Sequence, residues 1–461
     1  MKRIKAILLL LGMLIVNIST IKAIETIAIR YGGKESDFFN EVILEDGNMI
    51  AVGYSRSKNI DGLDNKGKFD GLIVKYDRND NLIWQTNYGA ENDDEFKSII
   101  SVEDGYIVVG LKDGNANFYN EQATGILLKY NKNGKLEKEL EYKEKDGTKF
   151  IDIIADINDN YAIIGNTYQS GTPMPLLVKY NKNYEKIYEK ELTEYEGYET
   201  KKILNSGNGV YIILLTNGSD SIILCLDLNG EEKWSSTYVM KSPEHPVFED
   251  VILTSNKTYV VVGGNDSGGT AGGATSQDLA FMLEYDLSGN LIDEKIFKNY
   301  KQSRFVGIVE IENRYVVLAQ LANLDHMDVT ALYSNDFDVK ILKFDYNKIL
   351  RDEISTGVKT TYAFYHESFS LTKFADNDYF IVLSTTGNLL DSEPKGNLDA
   401  VILKTKNVFG IEPELPLDSD VKEVEVPDTF LNITSVIIIG ILLITLSCLS
   451  YFIIFKNKKI K

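Results

Sequence analysis

Met49-Ile50-Ala51-Val52-Gly53 is a short apolar strand that the chain repeats along its length. It returns as YIVVG from Tyr106, YAIIG from Tyr161, YIILL from Tyr211, YVVVG from Tyr259, YVVLA from Tyr315 and YFIVL from Tyr379. The intervals are 57, 55, 50, 48, 56 and 64 residues, the self-similarity of one supersecondary unit copied seven times.

Outward from this strand, another hydrophobic segment opens ten or eleven residues earlier, at Phe39, Phe96, Phe150, Thr200, Phe248, Phe305 and Phe369. Downstream, an apolar triplet ends in Lys75-Tyr76-Asp77, Lys129-Tyr130-Asn131, Lys179-Tyr180-Asn181, Glu284-Tyr285-Asp286 or Lys343-Phe344-Asp345. Turns such as DLNG at 227–230 follow, where Asn and Gly tolerate positive φ. A more polar strand comes next, for example LIWQTNY at 82–88. Apolar second and third strands beside a polar fourth describe an antiparallel unit buried in its middle and solvated at its outer edge. Seven such units predict an all-β, seven-bladed β-propeller of four-stranded blades. The seventh unit has no good fourth strand, whereas residues 24–31 (IETIAIRY) precede the first unit as an orphan. The N-terminal strand is therefore expected to complete the last blade and close the ring.

These units resemble secreted bacterial propellers built of Tyr-Gly-Gly, Asp-x-Phe, Asp-Gly-x-Ile-x-Val-Gly, Lys-Tyr-Asp-x-Asn-Gly and Trp repeats. Residues 31–88 carry the pattern best, with weaker copies to residue 406. The resemblance implies display at a cell surface and transfers no catalytic residue.

The ends set the expected domain plan. Residues 1–23 read as a signal peptide: Lys2, Arg3 and Lys5, an apolar run from Ala6 to Ile18, and Ala23 before the cut. Residues 24–409 are the propeller, and 410–428 form an acidic stalk containing Pro413, Pro416 and Pro427. Residues 429–455 carry no charge and are long enough for one transmembrane helix. The lysines of the tail, 456–461, keep it cytoplasmic. Val426-Pro427-Asp428-Thr429 resembles the Leu-Pro-x-Thr-Gly sorting signal of Gram-positive wall-anchored proteins; Pro427 and Thr429 match, while Val426 and Phe430 replace Leu and Gly. The expectation is a single-pass membrane protein with the propeller outside, covalent attachment to the cell wall being the alternative.

Charge narrows the partners. The net charge is −19, from 49 basic and 68 acidic residues. Setting aside the eight cations of the signal peptide and tail leaves 41 basic against 68 acidic, a net of −27 between them. Such a surface repels nucleic acid and anionic lipid. Cys225 and Cys448 are the only cysteines and cannot pair across the expected membrane boundary, which suggests a bacterial surface protein without disulfides.

In a propeller, the loops joining strands two and three share one face. Here five are long, residues 55–70, 112–124, 265–278, 322–338 and 385–399, while blades three and four have short connections. Long loops on a rigid scaffold usually carry binding, so this face is the expected site for a protein or glycan ligand. Asp61, Asp64 and Asp70, with Asn65, offer oxygen ligands for calcium; a solvated turn is the competing reading, since the spacing is not that of a helix-loop-helix calcium loop. His326 between Asp325 and Asp328 has no second His nearby, and His245 and His366 are isolated. Trp84 and Trp234 resemble the tryptophan docking repeat of quinoprotein propellers, but only two units carry them, which favours outer-strand packing. The function read from the sequence is a non-enzymatic binding or adhesion module, the alternative an extracellular propeller enzyme acting on glycans or related polymers.

Overall fold

A computed structural model describes residues 25–60, 62–114, 122–240, 245–266, 279–298, 303–322, 337–360, 370–375, 378–385 and 399–406. The expected signal peptide, stalk, transmembrane segment, tail and the Pro427 and Thr429 motif lie outside the described residues. Among those described, no helix is long and apolar enough to cross a membrane.

The described chain forms seven four-stranded antiparallel sheets and one two-stranded ribbon. Blade one shows the plan: Asp37–Glu45 innermost, then Asn48–Ser55, Asp70–Tyr76 and Leu82–Tyr88 outermost. Blades two to six repeat it in chain order, with innermost strands Asp93–Val102, Gly147–Ala155, Glu199–Asn205, His245–Leu253 and Ser303–Ile311. Blade seven draws on both ends of the ring: Ser370–Ala375, Asp378–Thr385 and Asp399–Lys406 are completed by Glu25–Tyr31. That closing strand pairs in register from Glu25 opposite Lys406 to Tyr31 opposite Ala400. Each blade touches the next and the seventh touches the first, which makes the fold a β-propeller.

Strand periodicity explains why the middle strands are apolar throughout. Successive side chains point to opposite faces of a sheet, and each blade has a neighbour on both faces. In blade one, Ile50 and Val52 join the core shared with blade two, while Met49 and Ala51 join the core shared with blade seven. Seven such clusters are described, one at each junction. Every fully buried aliphatic side chain contributes roughly 1.5–3 kcal/mol, so the junctions dominate stability.

The repeated Phe has a constant partner. It packs against the aromatic residue that ends the preceding fourth strand: Phe39 against Tyr31, Phe96 against Tyr88, Phe150 against Tyr142, Phe248 against Tyr238 and Phe305 against Phe297, at centroid distances of 4.9–6.0 Å. In blade four Thr200 takes this place, and its hydroxyl and N–H both donate to Asn166 Oδ1 at 3.0 Å. Immediately after this residue the register of six innermost strands shifts by one, a β-bulge. The bulge pushes a carbonyl at the second strand, where a Cβ on Gly53 would lie 1.9 Å from Phe38 O. The same close approach accompanies Gly110, Gly165 and Gly263, whereas blades four and six carry Leu215 and Ala319 at this place.

The Trp residues dock sideways. Trp84 of blade one lies over Gly134 in the turn of blade two and donates its indole N–H to Lys132 O at 3.1 Å. Trp234 of blade four does the same over Gly289, donating to Leu287 O at 3.1 Å. Packing between outer strands and turns is therefore their role here.

Candidate functional site

Two polar assemblies stand out, one on the long-loop face and one along the axis. The first begins with residues 55–70. Asn59–Ile60 pairs with Leu63–Asp64 as a small ribbon. Ile60 is buried in the core between blades seven and one, and Gln85 Nε2 donates to its carbonyl at 3.2 Å. Asn87 Nδ2 holds the far arm by donating to Asp64 O at 2.9 Å. Asn65 folds the return, donating to Ser55 O at 2.6 Å and accepting from the Gly67 N–H at 2.9 Å. Arg56, exposed, lies over the Phe69 ring at 5.7 Å.

Beneath this loop sit buried carboxylates. Asp37 accepts from the Gly33 N–H at 2.8 Å, from Ser57 Oγ at 2.8 Å and from the Ser55 hydroxyl. Asp94 repeats the arrangement one blade on, accepting the Ala90 N–H at 3.0 Å and the Asp113 N–H at 3.1 Å. Asp70 accepts from the Lys66 N–H at 3.1 Å and from Asn87 Nδ2 at 2.8 Å, both at Oδ2. Burial raises the pKa of all three, that of Asp94 to about 6, despite the hydrogen bonds they accept. Asp399 is paired with Arg30, Nη1 to Oδ2 2.5 Å, with both side chains almost wholly buried.

Of the three acids expected to bind calcium, Asp61 lies outside the described residues. Asp64 is exposed at the ribbon, and Asp70 is buried at the base of the loop. Asn87 links them through the Asp64 carbonyl and the Asp70 carboxylate. Among the described residues no group of three or more His, Cys, Asp or Glu is placed to hold a metal ion. Most of the other long loops also lie outside the description, as do His326 and His366. His245 sits half-buried in the innermost strand of blade five. Burial pushes the Cys225 thiol up to about 11, which leaves it an inert core residue.

The second assembly lies on the innermost strands, at the position just past each bulge: Glu41, Ser98, Asp152, Lys202, Asp250 and Gly307. Ser98 Oγ lies 2.7 Å from both Glu41 Oε2 and Asp152 Oδ1. Lys202 of blade four reaches Asp152 at 3.3 Å and Glu41, three blades away, at 4.0 Å. These carboxylates also tie blades together through backbone. Glu41 accepts the Ile99 N–H at 2.9 Å, Asp152 the Ile203 N–H at 3.1 Å and Asp250 the Ile308 N–H at 2.9 Å. Burial raises Glu41 and Asp250 above the usual carboxylate range, and the charge of Asp152 holds Lys202 firmly protonated. With its lysine and backbone donors engaged, this ring reads as a polar clasp along the axis. Its signal was present in the sequence, two places after each first-strand Phe, but becomes visible only once the bulge is known.

Neither a family model nor a curated protein matches the chain. Solved structures similar to it include a polysaccharide lyase, at 8% identity and a TM-score of 0.49, covering 85% of this chain and 94% of that one. A hydrazine synthase from Kuenenia stuttgartiensis matches at 10% identity and a TM-score of 0.47, over 76% of this chain and 94% of that one. A puromycin-hydrolyzing peptidase of Mycobacterium tuberculosis matches at 10% identity and a TM-score of 0.43, over 77% of this chain and 53% of that one.

Proposed function

We propose that this chain is a surface-displayed binding or adhesion module that engages a protein or glycan through the long-loop face of the propeller. Residues 1–23 direct export, residues 429–455 anchor the chain in the membrane, and covalent wall attachment through Pro427 and Thr429 is the alternative anchoring. The observation that carries the binding reading is the 55–70 loop. Its described residues are tied to the blade by Asn65, Gln85 and Asn87 while Arg56, Lys58 and Asn59 are exposed. A loop ordered before it meets a ligand loses little entropy on binding.

The test is a screen of the purified full-length chain against glycan and surface-protein arrays, beside a variant with residues 58–64 replaced by a Gly-Ser linker. Retention of a ligand by the first and not the second supports the reading. Equal retention by both removes the loop from the site. The enzyme alternative is favoured by one observation, the approach of Glu41 and Asp152 from different blades around Ser98. Release of fragments from a polymer, abolished by Glu41→Gln, would put it first.

A further inference from the structure

We propose that the junction of blades one and two binds a divalent cation, calcium by its oxygen chemistry, between Asp70 Oδ1 and Asp94 Oδ2 beside Gly89. The ring supplies its own control. Tyr31-Gly32-Gly33 with Asp37 and Tyr88-Gly89-Ala90 with Asp94 are equivalent segments at successive junctions, each carboxylate six residues beyond its Tyr. Each also faces an aspartate that opens the third strand of the preceding blade, Asp399 in one case and Asp70 in the other.

The difference lies in the residue just before the Tyr. At the closing junction it is Arg30, whose guanidinium meets Asp399 Oδ2 at 2.5 Å. At the next junction it is Asn87, whose amide meets Asp70 Oδ2 at 2.8 Å. The same oxygen is contacted from the same place, but by a neutral group. Two buried carboxylates therefore face each other with no guanidinium between the blades. The exposed Lys66 contributes only a partial offset to Asp70, and Asp113 adds further negative charge beside Asp94.

A second observation points to a ligand. Asp70 is 1% exposed, and its Oδ1 is buried without a hydrogen-bond partner. A buried acceptor left unsatisfied is costly, and an anionic one more so. That oxygen and its counterpart close on the same glycine: a Cβ on Gly89 would lie 2.6 Å from Asp70 Oδ1 and 2.7 Å from Asp94 Oδ2. The donors are carboxylate oxygens alone, which suits a hard cation rather than zinc or copper. Because only two carboxylates converge, water and backbone carbonyls would complete the shell. The affinity then belongs to the weak class of extracellular calcium modules, with dissociation constants of roughly 10⁻⁴–10⁻³ M. The upward pKa shifts of Asp70 and Asp94 accord with an uncompensated pair.

The site does not depend on what the long-loop face recognises, so its test needs no ligand. Thermal unfolding and calorimetric titration of the full-length chain with calcium chloride, against chelator, read it directly. Saturable binding of one calcium is expected. With calcium at tenfold its dissociation constant the melting temperature should rise by about 2 °C for a ring of this size. Asp94→Asn should abolish the binding and melt higher than the unaltered chain in chelator, because the repulsion is gone. Asn87→Arg, which copies the closing junction, should also abolish binding and melt in chelator near the calcium-loaded protein. Absence of binding up to about 10 mM calcium, ten times the weak end of the extracellular class, would overturn the proposal. So would binding that survives both Asp94→Asn and Asn87→Arg, or that is lost in Asp64→Asn but not in Asp94→Asn. A melting temperature that rises on acidification to pH 5.5 with no calcium response would mean the pair shares a proton instead, and would equally overturn it.

Discussion

Replacing Arg30 by Met tests how the ring is locked. The side chain keeps its length and most of its apolar stem but loses the guanidinium that meets Asp399 at 2.5 Å. Arg30 and Asp399 side chains are 5% and 0% exposed, so water cannot take over the lost partner. Removing one member of a buried ion pair costs about 3–5 kcal/mol, chiefly by stranding the other charge. Asp399→Asn should cost a similar amount by stranding Arg30. The double variant strands neither charge, so its loss should not exceed that of a single one, giving a coupling of at least about 3 kcal/mol. The assay is urea unfolding of all four proteins at neutral pH, at one ionic strength. Total stability of a domain is about 5–15 kcal/mol, so each single variant should remain folded but unfold at clearly lower urea. Losses that simply add, with coupling below about 0.5 kcal/mol, would show that the pair does not lock the closing strand.

A variant lacking residues 24–32 should melt far below the intact chain, since it loses Ile29, Tyr31 and seven strand pairings besides Arg30; equal melting would refute closure by the N-terminal strand. Asp156 meets Lys179 at 2.7 Å with both side chains almost fully buried, so Asp156→Ala should cost about 3–5 kcal/mol in urea unfolding. Although burial opposes it, Lys179 and the N–H groups of Asn160 and Asn158 hold the Asp156 pKa below its ordinary value. Its stabilisation is therefore complete above the unfolded pKa of about 3.9 and lost as pH falls through the lower folded value. Unfolding measured from pH 5 down to pH 2 should show this loss in the intact chain and not in Asp156→Ala. Gly53→Ala would put a methyl group where Phe38 O approaches to 1.9 Å, at a cost of about 1–3 kcal/mol read by thermal unfolding.

Those features of the propeller that rest on local patterning are legible in the chain. The apolar second strand, the Phe opening each first strand and the Asx-Gly turns follow from period-two burial and from backbone chirality, which a short window contains. The degenerate unit at Thr200 could be placed because its neighbours fixed the spacing, although its hydrogen bonds to Asn166 could not be foreseen. The axial ring was hidden because a bulge changes which residue faces inward, and a bulge adds no residue type to the pattern. Nothing in the linear pattern therefore singles out Glu41, Asp152 and Asp250. Asp70 was grouped with Asp61 and Asp64 by proximity in sequence. Its nearest acidic counterpart across the gap is Asp94 of the next blade, reached through a blade boundary that no local spacing records. Aligning Arg30 with Asn87 across the repeats is the signal that would have exposed it.

The strand Asp399–Lys406 has a mechanical consequence. It is hydrogen-bonded on both sides, to Glu25–Tyr31 and to Asp378–Thr385, and it is the last described strand before the chain leaves the ring. Tension on the chain beyond Lys406, resisted at the opposite end near Asp399, would act along the strand axis and load both ladders in shear. A ladder pulled lengthwise must break many bonds together, whereas one peeled from its end breaks them singly. If the chain beyond Lys406 is anchored as proposed, the propeller would yield to steady pulling only at forces that rupture both ladders together, with the Arg30–Asp399 pair at the far end of the strand acting as its rivet.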